Sequence, residues 1–226
     1  MIKINNLQDA FGTKETFPQS TKILYDKLDL RYDSLDSEEE TELKKNITRE
    51  IESGFTKVGS HRDVIWESAW SEVRKKFIAD GYNPKTLNPN FISNHDFVRW
   101  NGKYIKPINK RFELSFFEIF RDWIFTTYLS DFRNVYEFGS GSGFNLIELS
   151  KKYPKKKMIG FDWSTSAAEI LNDYRRVTNK DIKGAVFDFF HPDYSIEIPT
   201  KTAVMTFCAF EQIGYNFTEM LNFFLQ

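Results

Sequence analysis

Residues 135–143 read Val135-Tyr136-Glu137-Phe138-Gly139-Ser140-Gly141-Ser142-Gly143, and the chain continues as Phe144-Asn145-Leu146-Ile147-Glu148-Leu149. A short apolar run ends on three glycines at alternate positions, after which apolar residues recur with helical spacing. This order predicts a strand, a tight turn and a helix. Glycine permits the turn and lets backbone come close to a ligand, while a helix N-terminus offers free amides. Glu137 stands two residues before the first glycine, and Asp162 closes the next apolar run, nineteen residues after Gly143.

From Asn134 onward the same order repeats. Strands are expected at 135–138, 158–161, 185–189 and 203–207, with helices at 144–153 and 166–178 between them. Such alternation predicts an α/β domain with a Rossmann-like parallel sheet and right-handed crossovers. Ligands of these sheets bind outside the carboxyl ends of the strands. A carboxylate at the tip of the second strand is placed to accept both ribose hydroxyls of an adenosine-containing ligand, which is the role expected of Asp162. Asp188, with Phe189, is the candidate for the adenine edge. Each acid also has a plainer reading: Asp162 as a cap for the next helix, Glu137 as a strand-end carboxylate, and Asp188 as a turn former before Phe190-His191-Pro192-Asp193.

The segment resembles the class I S-adenosylmethionine-dependent methyltransferase family, whose first motif is an acid followed by x-Gly-x-Gly-x-Gly. A dinucleotide fingerprint would instead place glycine or alanine at position 144, where Phe144 stands. The resemblance implies S-adenosylmethionine as cofactor and S-adenosylhomocysteine (SAH) as product. It implies that Glu137 lies near the methionine amino group, that the turn of Gly139, Ser140, Gly141 and Gly143 contacts the methionine part, and that Asp162 binds ribose. Trp163, with Ser164 beside it, would pack on adenine, Asp188 and Phe189 would address its edge, and Phe207 would line the cleft.

The run Phe207-Cys208-Ala209-Phe210-Glu211-Gln212 resembles the family segment that lines the methyl-transfer site. Glu211, Gln212 and His191 are the catalytic candidates, although Gln212 stands where His is frequent and takes no proton at neutral pH. The implied function is methyl transfer to a small molecule: a sugar, a lipid or another metabolite. A non-catalytic cofactor-binding or assembly module, and a fragment of a longer methyltransferase, are the alternatives. A nucleic-acid acceptor is not expected, since no Asn/Asp-Pro-Pro-aromatic motif follows the fourth strand.

The resemblance runs from about Asn134 and stops after the fourth strand and a first helix at 217–226. The fourth strand is therefore expected as an open edge, with Met220, Leu221, Phe223, Phe224 and Leu225 as an apolar face with little to cover it. Three readings follow, in this order: a fragment, a homo-oligomer formed through that edge and helix, or a cover supplied by the N-terminal residues.

Those residues, 1–110, read as a mainly helical region with a short hairpin, a cap or substrate-binding part, ahead of a methyltransferase-like domain at 111–226. Ser37 and the three glutamates after it open an amphipathic helix carrying Leu43, Ile47 and Ile51. A second helix begins near Ser60 and carries Ile65, Trp66, Trp70, Val73 and Phe77, a stripe that reads as core. Residues 82–96 read as a loop, Asn101-Gly102 as a hairpin turn, and 113–129 as an apolar helix. Tyr104 and Arg111 read as exposed packing residues.

The chain has 226 residues, with 31 basic against 32 acidic, so no net charge draws it to nucleic acid. Its three histidines lack ligand spacing, so no metal site is expected. The single cysteine, Cys208, excludes an intramolecular disulfide and reads as a packed thiol. No signal peptide and no run of about 18 apolar residues is present, so the expected location is cytoplasmic, without a membrane partner.

Overall fold

The computed structural model describes residues 1–54, 58–89, 92 and 95–225, and the chain divides into two interleaved units. In chain order the regular elements are α1 (Ile4–Ala10), α2 (Gln19–Lys27), β1 (Tyr32–Ser34), α3 (Ser37–Ser53), α4 (Asp63–Ala79), β2 (Val98–Trp100), β3 (Lys103–Pro107) and α5 (Phe112–Thr127). There follow β4 (Asn134–Phe138), α6 (Phe144–Lys152), β5 (Lys157–Asp162), α7 (Thr165–Thr178), β6 (Ile182–Val186), β7 (Thr202–Thr206) and α8 (Thr218–Phe224).

One unit comprises Met1–Thr56 and Asn90–Ser130, the other Lys57–Pro89 and Asp131–Gln226. The division therefore does not fall at residue 110. Helix α5 belongs to the first unit, because Ile119 and Trp123 bury themselves with Ile2, Leu7, Phe17 and Leu30. Helix α4 belongs to the second, where it packs on α7, although it stands more than fifty residues before β4.

In the first unit β3 lies between β1 and β2 in an antiparallel sheet, and the Asn101-Gly102 turn takes the positive φ angles, 46° and 78°, that its dipeptide predicts. The Asp122 carboxylate accepts the hydroxyls of Ser20 and Thr21 at 2.7 and 2.8 Å, tying α2 to α5. Helix α3 forms as expected, but its cap is Asp36 rather than Ser37: Asp36 accepts the Glu38 and Glu39 amides, and Glu39 reaches back to close a capping box. None of its residues is buried, and Ile51 is 56% exposed.

In the second unit four parallel strands run in the order β6-β5-β4-β7. This is the 3-2-1-4 order of the first four strands of a doubly wound sheet, so the fold is Rossmann-like. Strand β6 lies three residues earlier than expected, because it pairs with β5 from Met158↔Ile182 to Asp162↔Val186. Gly184 sits mid-strand where α7 crosses: a Cβ there would stand 1.9 Å from the Ala168 carbonyl oxygen. Phe187 and Phe189 fall beyond the strand and turn into the core.

Among the described residues β7 pairs only with β4, so the fourth strand is an edge as expected. The last helix is not left open. Met220 and Phe223 of α8 are fully buried with Tyr136, Phe138, Phe161 and Phe187, while Leu221 and Leu225 remain exposed. Helix α8 thus covers the sheet instead of awaiting a cover. Phe223 meets Phe138 and Phe187 at ring-centroid distances of 5.5 and 5.1 Å. Replacing Phe223 by Ala is expected to cost about 3–5 kcal/mol of unfolding free energy, the range for emptying a buried aromatic site; urea denaturation followed by circular dichroism measures it.

Candidate functional site

The turn after β4 is built as its glycines require. Gly139, Gly141 and Gly143 have φ of 76°, 50° and 71°. The Gly139 and Ser140 amides both donate to the Phe161 carbonyl, at 2.7 and 2.9 Å, which locks the turn to the end of β5. A Cβ at Gly139 would stand 2.2 Å from Cβ of Ala209, and one at Gly141 would stand 2.8 Å from the Trp70 ring. Strain and lack of space together exclude any larger residue.

Glu137, 1% exposed, accepts a 2.7 Å hydrogen bond from Asn145 Nδ2 on the first turn of α6. Ser140 Oγ, Asn145 Oδ1 and Thr206 Oγ1 are buried near the carboxyl ends of β4 and β7 and have no hydrogen-bond partner among the described residues. A buried polar atom left unsatisfied costs about 1–3 kcal/mol. Their grouping at strand ends is what a ligand bearing hydrogen-bond donors would satisfy.

Asp162 closes β5 and is almost wholly buried. Its Oδ2 accepts the Gly141 amide at 2.8 Å and its Oδ1 the Ser164 amide at 3.0 Å. Burial pushes its pKa up to about 6; the amide bonds oppose this and the nearby Glu67 carboxylate adds to it. Asp162 is therefore not the cap of the next helix. Ser164 caps α7, accepting the Ala167 amide at 3.1 Å.

Sequence reasoning missed the ceiling over this turn. Helix α4 crosses the strand ends and is fastened at several points. Glu67 accepts the Ser164 hydroxyl at 2.7 Å, the Ser166 hydroxyl at 2.5 Å and the Ser166 amide at 3.2 Å. Burial works against that carboxylate, but the bonds from Ser166 and Ser164 outweigh it and hold its pKa below the ordinary value. Arg74 donates to the fully buried Asp173 of α7 at 2.8 Å. Arg62, just before α4, donates to Gln212 Oε1 at 3.0 Å. Trp66 and Trp70, read as core, are half-buried and stacked on each other at 6.0 Å, and Trp70 lies against Gly141. The signal for this placement was the tryptophan pair on one face of a helix of which only Phe77 is fully buried.

The remaining candidates are distributed unevenly. Trp163 is half-buried and stacks on Phe190 at 5.7 Å, and Phe189 is buried beside Gly139. Asp188 has its turn-forming role: Oδ1 accepts the Phe190 amide at 2.8 Å, and Oδ2 lies 2.9 Å from His191 Nδ1. The His191 side chain is 84% exposed. Gly143 is the N-cap of α6, and Leu171 fills the space over it. Phe207 is half-buried directly after β7. Glu211 is exposed, and the Gln212 amide is engaged by Arg62. Cys208 is exposed rather than packed, with a φ of 53°. No group of three or more His, Cys, Asp or Glu suited to a metal occurs among the described residues.

No protein-family model matches the sequence. A search of the curated proteins also returns no match. Among solved structures, PKMT2 from Rickettsia typhi in complex with AdoHcy aligns at 17% identity and a TM-score of 0.34, over 42% of this chain and 18% of that one. The plantazolicin methyltransferase BpumL in complex with SAH aligns at 21% identity and a TM-score of 0.37, over 47% and 38%. Coclaurine N-methyltransferase bound to N-methylheliamine and SAH aligns at 12% identity and a TM-score of 0.36, over 69% and 47%. The chain thus spans less than half the length of each. At these scores the fold assignment rests on the strand order itself.

The raised pKa of Asp162 has a stability consequence with a definite sign. In the folded state the carboxyl holds its proton up to about pH 6, and in the unfolded chain it releases it near 3.8. The folded state therefore binds more protons between these values, and the contribution of Asp162 to stability falls as pH rises through that window. The difference in unfolding free energy between wild type and Asp162→Asn is expected to shift against the wild type between pH 4 and pH 7. Urea titrations across that range check this.

Proposed function

We propose that the unit of residues 57–89 and 131–226 binds S-adenosylmethionine and transfers its methyl group to a small-molecule acceptor, releasing SAH. The observation that carries this reading is the tripled glycine turn after β4, joined through the Gly141 amide to the buried carboxylate of Asp162 at the end of the adjacent parallel strand. Acid, turn and second acid stand where an adenosine ligand with an amino-acid tail would span β4 and β5.

The residues present fit such a molecule. Glu137 is a buried carboxylate beside Asn145, and the unsatisfied Ser140 Oγ and Asn145 Oδ1 are acceptors suited to an ammonium group. Each oxygen of Asp162 accepts one amide and keeps acceptor capacity for a ribose hydroxyl. The stacked Trp163 and Phe190 offer an apolar face for adenine. The cofactor supplies a methyl group already activated by its positive sulfur. What this chain contributes is alignment of the acceptor and exclusion of water by Trp66, Trp70 and the rest of α4. Deprotonation by a nearby strong base is not required of Glu211, Gln212 or His191.

Calorimetric titration with S-adenosylmethionine, SAH and NAD tests the reading. SAH is expected to bind and NAD not to bind. Gly139→Val, which drives a side chain into Ala209, is expected to weaken SAH by more than about tenfold, a loss of at least about 1.4 kcal/mol. Binding of NAD in place of SAH would overturn the assignment, and SAH binding with no turnover across an acceptor panel would favour the non-catalytic module.

A further inference from the structure

Helix α4 and the residue before it carry two arginines with opposite surroundings. Arg74 is saturated with carboxylates: Nε donates to Asp173 at 2.8 Å and Nη2 lies 3.2 Å from Glu169. Arg62 is half-buried, donates through Nη1 to the neutral amide of Gln212, and has a buried Nε with no partner. No carboxylate pairs with it among the described residues. Of the neighbouring acids, Glu67 takes Ser164 and Ser166, Asp63 accepts the Val64 amide at 2.7 Å through one oxygen, and the exposed Glu211 beside Gln212 makes no ion pair with Arg62 among the described residues. A half-buried guanidinium without a counter-charge is unusual, because such groups are normally paired.

Its setting defines what would pair with it. The guanidinium lies over the Trp66 ring, 5.1 Å from the centroid. A guanidinium carries its N–H groups as a planar fork, the donor set that receives a carboxylate through two parallel bonds. Arg62 stands eight residues before Trp70, about 12 Å along a helical axis, and it is Trp70 that lies on Gly141. The cation is therefore set away from the glycine turn, at the segment following β7, with the stacked Trp66 and Trp70 rings between them.

We propose that Arg62 is the receptor for a carboxylate on the methyl acceptor, so that the substrate class is a small organic acid whose body lies beside the stacked Trp66 and Trp70 rings. Gln212 serves as a positioning residue that holds the guanidinium in plane. This inference rests on the methyl-transfer reading above.

The test uses the full chain saturated with SAH and titrated with benzoate and with benzamide, which share a ring and differ in charge. Benzoate is expected to bind at least ten times more tightly than benzamide, and Arg62→Gln is expected to reduce that preference to within twofold. Gln212→Glu, which supplies Arg62 with a carboxylate in place, is expected to abolish the preference in the same way while its circular dichroism stays unchanged. Equal binding of the two probes to the wild type, or a preference that survives both substitutions, overturns the proposal. So does an Arg62→Gln protein that loses SAH affinity tenfold but keeps its preference for benzoate, because the guanidinium would then serve the cofactor's own carboxylate. Failure of the wild type to bind SAH at all is read before benzoate is added, and it strikes the cofactor reading instead.

Discussion

The Asp162 carboxylate is the constraint around which the second unit is arranged. Its two oxygens receive amides from opposite sides, Gly141 of the turn after β4 and Ser164 at the start of α7. The acid thereby adds a side-chain link between two loops, one of which the Gly139 and Ser140 amides also tie to the Phe161 carbonyl. Burial makes its charge expensive, and the amide bonds return part of that cost. Glycine is needed at 141 because Trp70 leaves no space for a side chain there. Ser164 is needed because it caps α7 and offers its hydroxyl to Glu67. The ceiling, the turn and the helix N-terminus therefore share one buried group.

The parallel sheet was legible from residue 134 on, since every strand there is an apolar run between turn and helix signals. The exception is instructive. Lys183 and Gly184 look unlike a strand and Ala185–Phe189 looks very like one, so local pattern puts β6 three residues late. The deciding fact is the crossing of α7, which demands the absence of a side chain at 184, and no local pattern announces a crossing. Helix α8 departs from expectation for a related reason: its apolar residues predict an uncovered face, but Phe223 and Met220 are themselves the cover for Phe138 and Phe187.

Of the site, Glu137, the glycine turn and Asp162 were readable because their spacing is short and set by backbone geometry. Arg62, Glu67 and Arg74 were not, because their partners stand about a hundred or more positions away, and Trp70 meets Gly141 across some seventy. Periodicity shows that Trp66 and Trp70 share a helix face, but not what lies opposite. Asp188 and His191 mark the converse limit. Asp188, expected at the adenine edge, also shapes a local turn by accepting the Phe190 amide two residues on.

The interleaved order of the units bears on how the chain is made. The polypeptide changes unit at 56/57, at 89/90 and again at 130/131. During synthesis from the N-terminus, α4 leaves the ribosome well before β4, β5 and α7 exist, so Glu67, Trp70 and Arg74 wait without partners while the first unit completes itself from residues 90–130. Neither unit is a continuous stretch that can close as soon as it emerges. Contacts of such long separation are slow to form because the loop-closure entropy precedes the gain. A chain cut at any single point between 57 and 130 separates some part of one unit from the rest of it.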